Sequence, residues 1–73
     1  MRIRYDSDVD ALYIRLIDET VEVTTWRVSD DAAIDHAPDG AIVGIEVLDA
    51  SEHVFRGGAT PAVTLENLVA LTA

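Results

Sequence analysis

Three aspartates at alternate positions, Asp6, Asp8 and Asp10, open a stretch with the ligand spacing at which a calcium loop starts. Such a loop also needs a glycine at its sixth position and a bidentate glutamate at its twelfth. Those positions hold Ala11 and Ile17, so the aspartates read as turn and cap residues. His36 and His53 are the only imidazoles, with Asp35, Glu46, Asp49 and Glu52 near them in sequence. A transition-metal or hydrolytic centre needs three converging ligands and an open position, and no two histidines stand one helical turn apart. Ser7, Ser29 and Ser51 lack the glycine pattern of a nucleophile elbow and fit turn and cap duty. These residue types thus imply no catalytic residue, no metal site and no cofactor.

Glu46 is the carboxylate most in need of a partner. It falls within the apolar run Ala41–Leu48, where an unpaired charge is costly. Arg15 and Arg4 are the expected partners, in an ion pair that fixes register across a sheet or a subunit interface. An acid held there with a perturbed pKa is the functional alternative. In that alternative Glu46, His36 and Asp35 line a small cleft, of an enzyme or of a ligand-binding domain, and their side chains must converge. Arg2, Arg4 and Arg15, with Tyr5 and Tyr13 beside them, give the alternative of a basic stripe forming a small RNA-contacting face, against the plainer reading in which these arginines pair with the surplus acids.

The elements that position these groups follow from patterning. Met1–Tyr5 reads as a strand with Ile3 and Tyr5 on one face and Arg2 and Arg4 on the other. Asp6-Ser7-Asp8 is turn chemistry. Ala11–Ile17 alternates again, Leu12, Ile14 and Leu16 against Ala11, Tyr13, Arg15 and Ile17. Val21–Val28 is β-branched and aromatic, which suits a pleated surface; Ala32–Ala37 follows, and Pro38-Asp39-Gly40 supplies a hairpin turn. Ala41–Leu48 is apolar on both faces: Val43, Ile45 and Val47 on one, Ile42, Gly44 and Leu48 around Glu46 on the other. A strand with one wet face would be polar at alternate positions, so both faces are expected to be covered, one by the C-terminal segment and the other by a second copy or another protein. Gly44 permits close approach of a ring, from Tyr13 or Trp26. Asp49 with Glu52 has the capping-box spacing and predicts a helix over 50–56, stopped by Gly57-Gly58. The tail reads as helix over its last ten residues, with a brief strand over Ala62–Leu65 as the alternative.

Composition narrows the function. The chain has 73 residues, no cysteine, 49% hydrophobic residues and a net charge of -9, from fourteen acids against five arginines. A domain of this size buries only about 60–65% of its extended-chain surface. Without disulfides, oligomerisation is the common way to bury more. The acidity disfavours binding to nucleic acid, which draws on neutralising cations, and fits a basic protein partner. No run approaches the ~20 apolar residues of a membrane span, and the N-terminus has no signal-peptide pattern; a cytoplasmic location is expected.

Two signatures occur together: Tyr5-Asp6 with Asp10-Ala11-Leu12-Tyr13-Ile14-Arg15-Leu16, and the run from Asp39 to Ser51. With them the chain resembles the small prokaryotic domain of unknown function 2283 family over roughly Met1 to Ser51. The resemblance implies an antitoxin-type partner of a small toxin, and supplies no catalytic residues. His36 stands where an aromatic is expected, and Trp26 and Arg27 are unusual additions.

The expectation is a single α+β domain over 1–73: an antiparallel β-meander of about five strands (1–49), then a helical C-terminal segment (50–73) packed on one sheet face. It is expected to be a homodimer and a non-enzymatic protein-binding module for a basic partner. Tyr13, Trp26, Ile42, Gly44, Glu46 and Leu48 are the interface candidates, and Arg4, Arg15 and Glu46 the ion-pair candidates.

Overall fold

A computed structural model describes residues 1–58 and 63–67. Five strands form one antiparallel sheet: β1 (Arg2–Asp6), β2 (Ala11–Arg15), β3 (Thr24–Arg27), β4 (Ala32–His36) and β5 (Ile42–Val47). A single turn of helix, α1 (Ala50–His53), follows. The protein is therefore mostly β.

The strand order is β1-β2-β5-β4-β3, which corrects the simple meander. β3, β4 and β5 do run as neighbours, but β5 inserts between β4 and β2. The reason is its sequence: a strand apolar on both faces loses most exposure at the centre of a sheet, where Val43 and Gly44 are buried. The connection from Leu16 to Val23 must then cross to the far edge, about 14 Å at ~4.8 Å per strand. Val21–Val23 belongs to that crossing and not to a strand, so β3 is shorter than its β-branched composition predicts.

Register sorts the side chains into two faces, because directly opposed residues in an antiparallel pair point the same way. One row runs Ile3, Ile14, Ile45, Ile34, Trp26, one residue from each strand. The next runs Tyr5, Leu12, Val47, Ala32. The opposite face carries Arg2, Arg15, Gly44, Asp35, Thr25 and, beside it, Arg4, Tyr13, Glu46, Ala33, Arg27. A bulge opposite Asp35 and His36 turns Ile42 toward the apolar face, where it stands with Trp26, Ile34 and His36.

The core is thin. Among the described residues its buried apolar members are Leu12, Ala33, Ala37, Val43 and Ala50, of which only Val43 is a larger side chain with 0% exposure. The turn that follows α1 covers one end of the apolar face through Phe55, whose ring meets Tyr5 edge-on at 4.9 Å.

The helix expected over 50–56 ends at His53, because Arg56 and Gly57 take positive φ of 57° and 76°. The expected C-terminal helix does not appear over 63–67, which is neither helix nor strand. Asn67 there takes a left-handed φ of 58°, which a continuing helix does not admit. The rest of that expectation, at 59–62 and 68–73, lies outside the described residues. Among the described residues no helix is long and apolar enough to cross a membrane.

Candidate functional site

The polar face is built around Gly44. Tyr13 of β2 lies across it so closely that a Cβ at Gly44 would overlap the ring's hydroxyl and Cζ. Of the two rings expected near Gly44, the register supplies Tyr13. The second cover expected over β5 is thus, on this face, the chain's own tyrosine. The Tyr13 hydroxyl donates to Asp35 at 2.8 Å, and Thr25 Oγ1 donates to the same carboxylate at 2.6 Å. Partial burial first, and then the carboxylate it bonds, push the Tyr13 pKa above the usual phenol value.

Glu46 sits beside this chain of bonds, opposite Tyr13 and Ala33. Its cationic neighbour is Arg27 at 4.0 Å, not Arg15 or Arg4. Ala33 stands between Glu46 and Arg27 with only a methyl, so the long arginine reaches over it, while Arg4 is two strands away on the other side, with Tyr13 at the register position between them. Arg15 is held elsewhere, donating from Nε to the Ile17 carbonyl and from Nη2 to the Glu19 carbonyl, both at 2.7 Å. Arg27 and Glu46 are 51% and 41% exposed, so Glu46 is not the buried charge its apolar run implies.

The enzyme alternative required Glu46, His36 and Asp35 to converge, and they do not. His36 is on the apolar face with its ring edge-on to Trp26 at 6.4 Å, while Asp35 and Glu46 are on the polar face. Alternation of adjacent residues along β4 separates Asp35 from His36. Leu48, the remaining interface candidate, is half-buried beyond β5 and donates its N–H to the Asp31 carbonyl.

A second constellation, missed from the sequence, joins the two signatures. Asp10, at a left-handed φ of 54°, turns its carboxylate toward the start of α1. It accepts hydrogen bonds from Ser51 Oγ at 2.6 Å, Ser51 N–H at 3.0 Å and the Tyr5 hydroxyl at 2.7 Å. The Asp10 carbonyl also receives the Ala50 N–H. The Ser51 hydroxyl, then Tyr5, hold the Asp10 carboxyl below the ordinary aspartate range, and Tyr5 is raised by the same bond. This replaces the capping box expected at Asp49, which takes a left-handed φ of 50° and makes no side-chain cap bond. Asp10 caps α1 from a distant turn, and the signal was the co-occurrence of Tyr5, Asp10 and Ser51 in the paired motifs. Asp6 accepts the Asp8 N–H at 3.0 Å, a local turn bond.

Asp31, Asp49 and His53 also meet, their ligand atoms lying within 4.8 Å of one another, with His53 Nε2 3.1 Å from Asp31. Asp49 and His53 stand one helical turn apart across α1, while Asp31 comes from the turn before β4, and it is this third member that no spacing in the sequence announces. The same end of the sheet gathers Asp6, Asp8 and Asp10, Asp30, and Glu52, giving it a strongly acidic character. Half of the fourteen acids thus lie at one end.

The fold and its two unlike faces define a small antiparallel sheet protein. The chain belongs to the family described as "Protein of unknown function (DUF2283)", whose model matches residues 2–51. That span ends at Ser51, the residue that closes the Asp10 cap. No curated protein and no solved structure matched it.

Proposed function

We propose that this protein is a non-enzymatic binding module that pairs with a second copy of itself through the apolar face of the sheet. The observation that carries the reading is the row Ile3, Ile14, Ile45, Ile34, Trp26, in which Ile3 is 46% and Trp26 64% exposed, with Ile42 at 46% beside it. Five strands and three residue rows make a patch on the order of 500 Å² per copy. Doubled, that reaches about 1,000 Å², the lower limit of a specific interface. The charge distribution favours a like partner: the strand residues of this face include no aspartate, glutamate or arginine. Two copies can therefore meet there while the acids stay at the ends of the sheet and on the polar face.

Light scattering on the full chain at micromolar concentration is expected to give twice the 7.9 kDa chain mass. Trp26→Glu is expected to give the single mass with the fold retained. A full chain that is monomeric throughout overturns the reading. The acidic end is the second part of the proposal: it suits a basic protein, in the antitoxin-like role of partner to a small basic toxin. Salt-sensitive, stoichiometric association with one basic protein from the native host is the expected result, and its absence under gentle conditions counts against it.

A further inference from the structure

The polar face holds a cleft that the pairing of copies does not use. It is lined by Arg2, Arg4, Tyr13, Arg15, Asp18 and Thr20 and encloses about 320 Å³. We propose that this cleft binds an oxyanion, specifically a phosphate group carried on a small molecule.

Three of the five basic residues in a chain of net charge -9 line this one cleft. Register places Arg2 directly opposite Arg15. Like charges opposed across two strands destabilise the pair, so stability alone does not account for the arrangement. The neutralisation is also incomplete. Asp18 is the only acid in the lining, and lies 3.9 Å from Arg2 Nε. Arg15 is anchored by backbone carbonyls, which fix its guanidinium, and no carboxylate lies within 4.0 Å of it among the described residues. Arg4, opposite Tyr13, has no carboxylate within 4.0 Å among the described residues.

The result is two anchored strands presenting planar donor forks, one held in place, around a volume suited to a small ligand. Guanidinium forks match the paired oxygens of phosphate geometrically, and the Thr20 hydroxyl adds a neutral donor in the same lining. A phosphate dianion gains more from this excess positive charge than a single carboxylate does. The acidic surface elsewhere weakens capture at long range, so recognition depends on contact inside the cleft and falls as salt rises.

The test is a titration of the ¹⁵N-labelled full chain, following backbone and arginine Nε–H resonances, with inorganic phosphate and separately with a nucleoside 5′-monophosphate. Sodium chloride at matched ionic strength is the control. Saturable shifts confined to Arg2, Arg4, Arg15 and Thr20 are expected with phosphate and not with chloride. A tighter response to the nucleotide identifies a phosphate monoester as the ligand; an equal one identifies the phosphate group alone. Arg4→Gln, on an exposed edge strand, is expected to weaken binding by about tenfold for the loss of a charge-assisted fork. Arg15→Lys keeps the charge and is expected to weaken it less. Arg56→Gln, remote from the cleft, leaves it unchanged. Shifts that chloride reproduces, or that Arg4→Gln and Arg56→Gln alter equally while resonance dispersion is retained, overturn the proposal.

Discussion

Gly44 and Asp10 each do something no other residue at their position does, and both are testable singly. At Gly44 an added methyl must displace the Tyr13 ring, which is tied to Asp35. Gly44→Ala is expected to cost about 1–3 kcal/mol, the usual penalty of forcing extra volume into a packed site. In a Tyr13→Ala background the same substitution should cost much less, and equal costs in the two backgrounds in urea melts would refute the contact. Asp10 acts through charge. Its pKa is lowered in the folded state by Ser51 and then Tyr5, so its contribution is present above the unfolded value of about 3.9. It is lost as pH falls through that value toward the folded one. Asp10→Asn is expected to lower the melting midpoint at pH 7 and to flatten the acid limb between pH 5 and pH 3. An unchanged acid limb would mean that other carboxylates set it.

β5 and α1 show where the sequence was readable and where it was not. All five strands were legible, β1 and β2 from alternation, β3 from β-branched composition, β4 and β5 from the turns that bound them, and the central place of β5 was implicit in its apolarity on both faces. The order β1-β2-β5-β4-β3 was not, because turn spacing reports which strands follow each other and not which one inserts between two others. Gly44 was legible as a site of close approach because a missing side chain mid-strand has few other uses. The partner of Glu46 was not, since it depends on Ala33 being small enough for Arg27 to reach across β4. The cap on α1 was misassigned to Asp49 because a local motif and a bond from a distant turn satisfy the same N–H groups. Glu46 also sets a limit on what holds the sheet in register. Its pair with Arg27 spans 4.0 Å between half-exposed groups, and such surface pairs contribute about 0–1 kcal/mol. Glu46→Gln is thus expected to shift stability by no more than that in denaturant melts. A larger loss would show that the pair, rather than the apolar rows beneath it, fixes β5 between its neighbours.

At the scale of the molecule, the thin core, the uncovered isoleucine row and the charge of -9 set opposing demands. Six buried residues among those described, three of them alanine, one glycine and one a leucine at the margin of burial, leave a chain of this size little stability on its own. Association that buries the row raises stability by mass action, so the melting midpoint should rise with protein concentration. Each copy nevertheless brings the same negative charge, and repulsion between copies opposes pairing until salt screens it. Raising ionic strength from about 0.01 M to 0.15 M shortens the screening length from ~30 Å to ~8 Å. Dimerisation is therefore expected to tighten over that range, whereas phosphate binding in the arginine cleft should weaken. The two faces respond to salt with opposite signs because one buries apolar surface between like charges and the other attracts an anion to unopposed arginines. Sedimentation equilibrium and phosphate titration at both ionic strengths measure the pair of slopes. Trp26→Glu should abolish the first slope and leave the second. If both slopes share a sign, or if the substitution changes both, the faces are not independent and the division of labour between them fails.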